Sequence, residues 1–407
     1  MMLIRGLFVV FSPIWAQPLP SIEHMLAEKN WYFSTAVHPE THMIYARVNL
    51  GDADLWSKTI FPKPEVIRDK TNADAELPNV SNCAFAAGLF LGQLADISQV
   101  TRDPDAASQA RIVFDGLVRL ARASTRKGFV ARCLLPGDST KAHFGNSSVD
   151  QYTFFVYGLY KYYHSGLADE AEKGTMRELM AEICAMIEHD GTILASNGAP
   201  AFVSDIEAIR SDRSSRMLEV FLVGYDITGD KHLREVYLER VRDWNNGRLR
   251  SMLNPQEIRF NYSPRDLRYG EEYADVNSMW QTQYSMVPLV ELETDLSLKA
   301  AYLEAMRTNA RIASRYGKNG VELQIIMLAQ NRGVFSPVRT AEDVRYGQQL
   351  QERCAALLAA TPRWRVDRPS GDALAASITS VGIDFPAAAD AFWTGYRLHV
   401  FDSAAKK

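Results

Sequence analysis

From about residue 80 onward the chain repeats one pattern. Apolar positions recur every three or four residues for several turns, and a short polar break follows, the signature of amphipathic helices packed on a common core. Cys83 to Ile97 is apolar and alanine-rich. Ala106 to Ala123 places Ala110, Val113, Phe114, Leu117, Val118 and Leu120 at helical spacing, and Glu170 to Glu188 does the same with Met176, Leu179, Met180, Ile183 and Ile187. Further helices are predicted over Ser147–Tyr163, Arg216–Tyr225, His232–Trp244, Val276–Leu292, Leu296–Tyr316, Ala341–Ala359 and Pro386–His399. Strand signals are few and short: Met43–Leu50, Phe129–Leu134 and Ile258–Tyr262.

The breaks resemble one another. Asp103-Pro104-Asp105, Thr228-Gly229-Asp230 and Thr294-Asp295 each end one helix and offer an acidic N-cap to the next. Helices therefore come as hairpins. The open solenoids built from helical hairpins repeat with a period of about 30 to 47 residues, which this chain does not show. A closed ring of hairpins is preferred: an all-α chain, with residues 17–407 as a single (α/α)6 barrel carrying a few short strands in its loops.

Composition narrows the class. Hydrophobic residues make up 47% and charged residues 23% of 407, the balance of a well-cored globular protein rather than a disordered or fibrous one. Forty-five basic against 49 acidic residues leave a net charge of −4, which argues against nucleic-acid binding through bulk charge but leaves room for a local basic pocket. Cys83, Cys133, Cys184 and Cys354 are scattered, with no CxxC or histidine at ligand spacing, so they read as buried free thiols. Residues 1–16 have the order of a secretory signal peptide: Arg5 in a short basic start, an apolar run from Gly6 to Ile14, and Ile14-Trp15-Ala16 as the cleavage end. The expectation is a periplasmic or secreted protein; the alternative is a cytoplasmic one with a buried first segment. No integral membrane span is expected.

The run Leu222-Val223-Gly224-Tyr225-Asp226-Ile227-Thr228-Gly229-Asp230-Lys231-His232-Leu233 resembles the helix–TGD–helix turn of (α/α)6 toroid proteins, the six-hairpin glycosidases and related polysaccharide lyases. Gly128-Phe129-Val130-Ala131-Arg132, then His143 and Ser147-Ser148-Val149-Asp150-Gln151-Tyr152-Thr153, is similar to the loops at the active end of that superfamily. In rhythm the likeness covers residues 80 to 320. In architecture, and in an aspartate opening an inner helix, it is closest to the unsaturated glucuronyl and rhamnogalacturonyl hydrolases. The resemblance implies an oligosaccharide or polysaccharide substrate, no cofactor and no metal.

On that premise the ends of the inner helices carry the chemistry. Asp150, in a first helical turn, is the candidate proton donor if burial raises its pKa; the helix N-terminus acts the other way and favours its carboxylate. In the unsaturated-uronide version that the resemblance implies, Asp150 protonates the C4=C5 alkene and water adds at C5. A second carboxylate comes from Asp275 or Glu272, in the cluster Arg265 to Gln281, where Trp280 would stack on a sugar face. Tyr152 at the helix mouth is a further sugar contact. Arg132, and Arg213 or Arg216, are candidates to hold a uronate carboxylate, although the mixed charges of Asp205–Arg216 also suit a solvated loop or a salt-bridge lattice. His143 with Tyr152 would serve a lyase, abstracting the C5 proton of a uronate. Walker, Rossmann, HExxH and GxSxG motifs are all missing, which removes weight from nucleotide, nicotinamide, zinc-protease and serine-hydrolase chemistry. The leading expectation is a glycoside hydrolase acting on uronic-acid-containing glycans. The alternatives are a polysaccharide lyase working by β-elimination and a non-catalytic glycan-binding toroid.

Overall fold

The computed structural model describes residues 18–45, 61–68, 80–201, 205–254, 276–315, 319–329, 340–367, 378–381 and 384–401. They form α1 (Ile22–Ala36), α2 (Pro64–Arg68), α3 (Cys83–Thr101), α4 (Pro104–Ala121), α5 (Val149–His164), α6 (Glu170–Asp190) and α7 (Ser214–Thr228). Then follow α8 (Lys231–Leu253), α9 (Val276–Leu292), α10 (Leu296–Arg315), α11 (Asn319–Ala329), α12 (Ala341–Ala360), β1 (Trp364–Asp367), β2 (Ile378–Val381) and α13 (Asp384–Arg397). The chain is all-α apart from one antiparallel pair, β1 on β2, with Trp364 opposite Val381.

Each helix predicted from periodicity is present, with its ends moved by a few residues. The three acidic breaks act as caps. Asp103 accepts from the Asp105 amide at 3.1 Å, Asp230 from that of His232 at 3.0 Å, and Asp295 from those of Ser297 and Leu298 at 2.8 and 3.1 Å. Gly229 ends α7 with φ 74°, a left-handed conformation that a side chain would strain. The strand expectations fare worse. Phe129–Leu134 is loop with a bend at Arg132 and pairs with no strand among the described residues. Within Met43–Leu50 only the bridge of Ile44 with Val37 is described, and Ile258–Tyr262 lies outside the described residues.

Three helices had no clear signal, one of them the five-residue α2. The buried stripe of α1 runs through Met25, Lys29, Tyr32 and Ala36, and a lysine hides the periodicity. It is tolerated because its ammonium reaches Asp103 Oδ2 at 2.5 Å. In α11 the run Leu323 to Leu328 shows no polar stripe to set a period, because the helix is packed from several sides by α9, α10, α12 and α13.

Around the core, α3 packs on α5, α5 on α7, α7 on α9, α9 on α11, α11 on α13, and α13 on α3. The other helices pack on these: α4 against α3, α6 and α8 against α7, α10 against α9 and α11, and α12 against α13. One contiguous apolar cluster extends from Met25 to Phe401. By length and hydropathy α3 could cross a membrane, yet Cys83 through Ile97 is buried without a break inside this cluster. It meets α5 backbone to backbone: a Cβ added at Gly158 would lie 2.7 Å from the Gly88 carbonyl oxygen.

The cysteine reading needs correction for two of the four residues. Cys83 and Cys133 form a disulfide across 50 residues, with Cα atoms 5.1 Å apart, whereas Cys184 and Cys354 are buried free thiols as expected. Spacing along the chain carries no sign of this pair, because the loop before α5 folds back over the start of α3.

Candidate functional site

The start of α3 is where the site is built. Its N-cap, Asn82, makes no side-chain cap bond, so the first amides need partners from elsewhere. They find three: the Cys83 amide donates to Cys133 Sγ at 3.1 Å, that of Ala84 to the Arg132 carbonyl at 3.1 Å, and that of Phe85 to Gln151 Oε1 at 3.1 Å. The Gln151 side chain in turn donates through Nε2 to Asn82 Oδ1 at 2.9 Å. Thus one helix end locks both the 128–135 loop and the first turn of α5, and Arg132 and Asp150 are held beside each other.

Asp150 is partly buried in the first turn of α5 and accepts from the hydroxyl of Ser148, the N-cap residue. Burial alone would push its carboxyl up. The Arg132 guanidinium, the Ser148 hydroxyl and Arg216 outweigh that and hold it below the usual carboxylate range. The direction is opposite to the one a resting proton donor needs, and Asp150 is accordingly a carboxylate. Arg132 is almost buried and also donates to the Ser81 carbonyl at 3.1 Å.

Arg216, the alternative to Arg213 as a uronate-binding arginine, links α7 to α9. From the first turn of α7 it donates through Nε to Thr282 Oγ1 of α9 at 3.0 Å and through Nη2 to Gln281 Oε1 at 3.4 Å. It is 1% exposed, and burial together with the neighbouring Arg213 pulls its pKa down to about 10. Asp212 is equally buried. Burial would raise its carboxyl, but Arg213, Arg210 and Arg216 keep it low. Arg210 grips it with two bonds, at 3.0 and 3.3 Å, and Arg213 Nη1 donates to it at 2.9 Å. The mixed-charge stretch is thus largely a buried lattice rather than a solvated loop. Arg213 belongs to the cluster, but its fork is turned to Asp212 and Asp205.

One turn past Arg216 lies Glu219, which the sequence reading missed. It is completely buried, and neither carboxyl oxygen has a hydrogen-bond partner among the described residues. Burial pushes its pKa well above the carboxylate range, against the pull of Arg216, so it holds a proton. A signal was available: Glu219 follows Ser215 and Arg216 by four and three residues, on the same helical face. Among the described residues, four guanidiniums (Arg132, Arg210, Arg213, Arg216) thus gather with three carboxylates (Asp150, Asp205, Asp212) and a neutral Glu219.

The remaining predicted residues divide. Tyr152 is not a ligand contact: it is fully buried, its hydroxyl donates to the Gly128 carbonyl at 2.8 Å and accepts from the Val130 amide at 3.0 Å, and burial raises its pKa. Its task is to pin the loop that carries Arg132. His143 turns Nδ1 to the Lys141 carbonyl at 2.8 Å and packs on Phe129, contacts within its own loop rather than with Asp150. Asp275 and Glu272 lie outside the described residues, as does the side chain of Trp280. Two surface clefts lie elsewhere: one of about 460 Å³ along α8 beside Glu235 and Arg242, and one of about 410 Å³ between α1 and α12 beside His24 and Arg363. Neither gathers groups capable of acid–base chemistry around a buried charge.

No protein-family model matches this chain, and no curated protein matches it in a sequence comparison.

Proposed function

We propose that this chain is an exported (α/α)6 toroid that hydrolyses glycosides bearing a uronic-acid sugar, at the end of the ring where α3, α5, α7 and α9 begin. The cyclic order of helix contacts, from α3 through α5, α7, α9, α11 and α13 back to α3, supports the toroid. The disulfide supports export, since such bonds persist in oxidising compartments.

One observation carries the functional reading: a carboxylate, Asp150, is set between Arg132 and Arg216 in a buried cluster of arginines and acids. A uronate carboxylate suits the arginine side. A carboxylate kept ionised beside it is suited to taking a proton from water, so Asp150 is the base in this scheme rather than the acid expected from sequence. Water adds its oxygen to the sugar carbon and its proton to Asp150. A separate acid protonates the glycosidic oxygen, or C4 when the uronide is unsaturated. The lyase reading loses support because the Tyr152 hydroxyl is committed to the backbone.

The test is absorbance of the C4=C5 alkene with unsaturated uronide disaccharides and with intact acidic polysaccharides, alongside reducing-end assays on saturated uronides. Alkene loss or reducing-end release that disappears in Asp150→Asn supports the reading. Alkene gain on polysaccharide would mean a lyase. Undiminished turnover by Asp150→Asn would remove Asp150 from the chemistry.

A further inference from the structure

Every buried charge near Asp150 has a partner except one acid. Asp212 is held by Arg210 and Arg213, and Asp150 by Ser148 and Arg132. Glu219 is 0% exposed and has neither oxygen hydrogen-bonded among the described residues. Leaving such a group unpaired is costly, and buried unsatisfied polar groups in folded proteins call for an explanation beyond packing. Its position supplies one. Ser215 and Arg216, one turn before Glu219 on α7, both bond α9: Ser215 Oγ lies 2.7 Å from Ser285 Oγ, and Arg216 reaches Thr282. At 1.5 Å rise per residue Glu219 sits about 4.5 Å deeper along α7 than Arg216. Its helix packs on both α5 and α9, so its carboxyl and Asp150 have Arg216 as a common neighbour.

We propose that Glu219 is the proton-donating acid of this site, a catalytic residue paired with Asp150 as base and with Arg216 between them. The inference rests on the hydrolase reading above and supplies the acid it leaves open. Glu219 gives its proton to the departing glycosidic oxygen, or to C4 of an unsaturated uronide. Water bonds to the sugar carbon and passes a proton to Asp150, and exchange with solvent restores both groups. Two carboxyl groups with opposed proton affinities, one unpartnered in an apolar surrounding and one braced by cations, form the division of labour that acid–base hydrolysis requires. Arg216 is neighbour to both, so a uronate carboxylate drawn to it would bring the scissile region between them.

Two measurements test this. Infrared spectra of protein carrying isotope-labelled glutamate should show a protonated glutamate carbonyl band at pH 7 that is missing in Glu219→Gln; labelling separates it from protonated aspartates such as Asp390. On whichever uronide the wild type turns over, Glu219→Gln should lower kcat about 10²- to 10⁴-fold and abolish the decline in rate on the alkaline side. Gln is isosteric with the neutral acid, so thermal unfolding should be unchanged and a folding defect is separable. A missing band, or Glu219→Gln turnover that keeps the wild-type rate or the alkaline decline, overturns the assignment while leaving the hydrolase reading intact. A wild type inert toward all uronides overturns the hydrolase reading, and the acid role falls with it.

Discussion

Asp390 offers a sharp test of how this interior handles charge. On α13 its carboxyl is fully buried, accepts from Gln324 Nε2 of α11, and faces Asp96 of α3, Lys161 of α5, Tyr284 of α9 and Arg397 of its own helix. Burial, followed by the Asp96 carboxylate, raises its pKa from 3.8 to about 7, and Lys161, Arg397 and the Tyr284 bond oppose that only in part. The sign of the linkage follows. Below pH 3.8 the group is protonated whether the chain is folded or not. Between there and pH 7 the unfolded chain gives up the proton while the folded one keeps it, so stability falls as pH rises and levels off above the folded value. A difference of about three units corresponds to about 4 kcal/mol in all, of which about 3 kcal/mol is lost between pH 5 and 8. Asp390→Asn keeps an acceptor for Gln324 and removes the ionisation. Urea unfolding of both proteins, followed by circular dichroism, should therefore show the variant gaining about 3 kcal/mol on the wild type between those two pH values. Terms that do not depend on pH cancel in that comparison. A stability gap equal at pH 5 and pH 8 would refute the reasoning, because Asp390 would then have the same proton affinity folded and unfolded.

Further outcomes are expected at other positions. Gly88→Ala brings a methyl against the backbone of Phe154, which cannot rotate away as a side chain would, so unfolding should cost less by about 3 kcal/mol in a denaturation curve. Replacing Cys83 and Cys133 together by Ser opens a 50-residue loop in the unfolded chain and should lower stability by about 4 kcal/mol on chain-entropy grounds. The same change loosens the segment carrying Arg132, so any uronate affinity measured by calorimetry should weaken as well. Asp150→Asn should abolish turnover and also lower the thermal midpoint, because the amide takes away the counter-charge of Arg132 and Arg216; circular dichroism at the assay temperature shows whether the variant is folded where it is inactive.

The sequence by itself determined most of the helices and their turns, since a helix that buries one face must repeat apolar residues at its own period and an acidic cap must precede its first amides. It also placed Asp150, Arg132 and Arg213 in segments that do converge. Tertiary structure decided the rest. Arg216 is one of two arginines the sequence offers for a carboxylate and Glu219 reads as an ordinary charged position on α7; only the packing of α7 on α5 and α9 buries them and gives one a neighbouring carboxylate and the other no partner. Tyr152 looked like a residue at a helix mouth, and only the fold of the 128–130 loop commits its hydroxyl to two backbone groups. Lys29 broke the stripe of α1 until Asp103, 74 residues away, supplied its counter-charge, and Cys83 found Cys133 across 50. The physical reason is common to all of them. Periodicity is enforced by neighbours three and four residues apart, whereas proton affinity, desolvation and pairing are set by whichever distant helix is packed alongside.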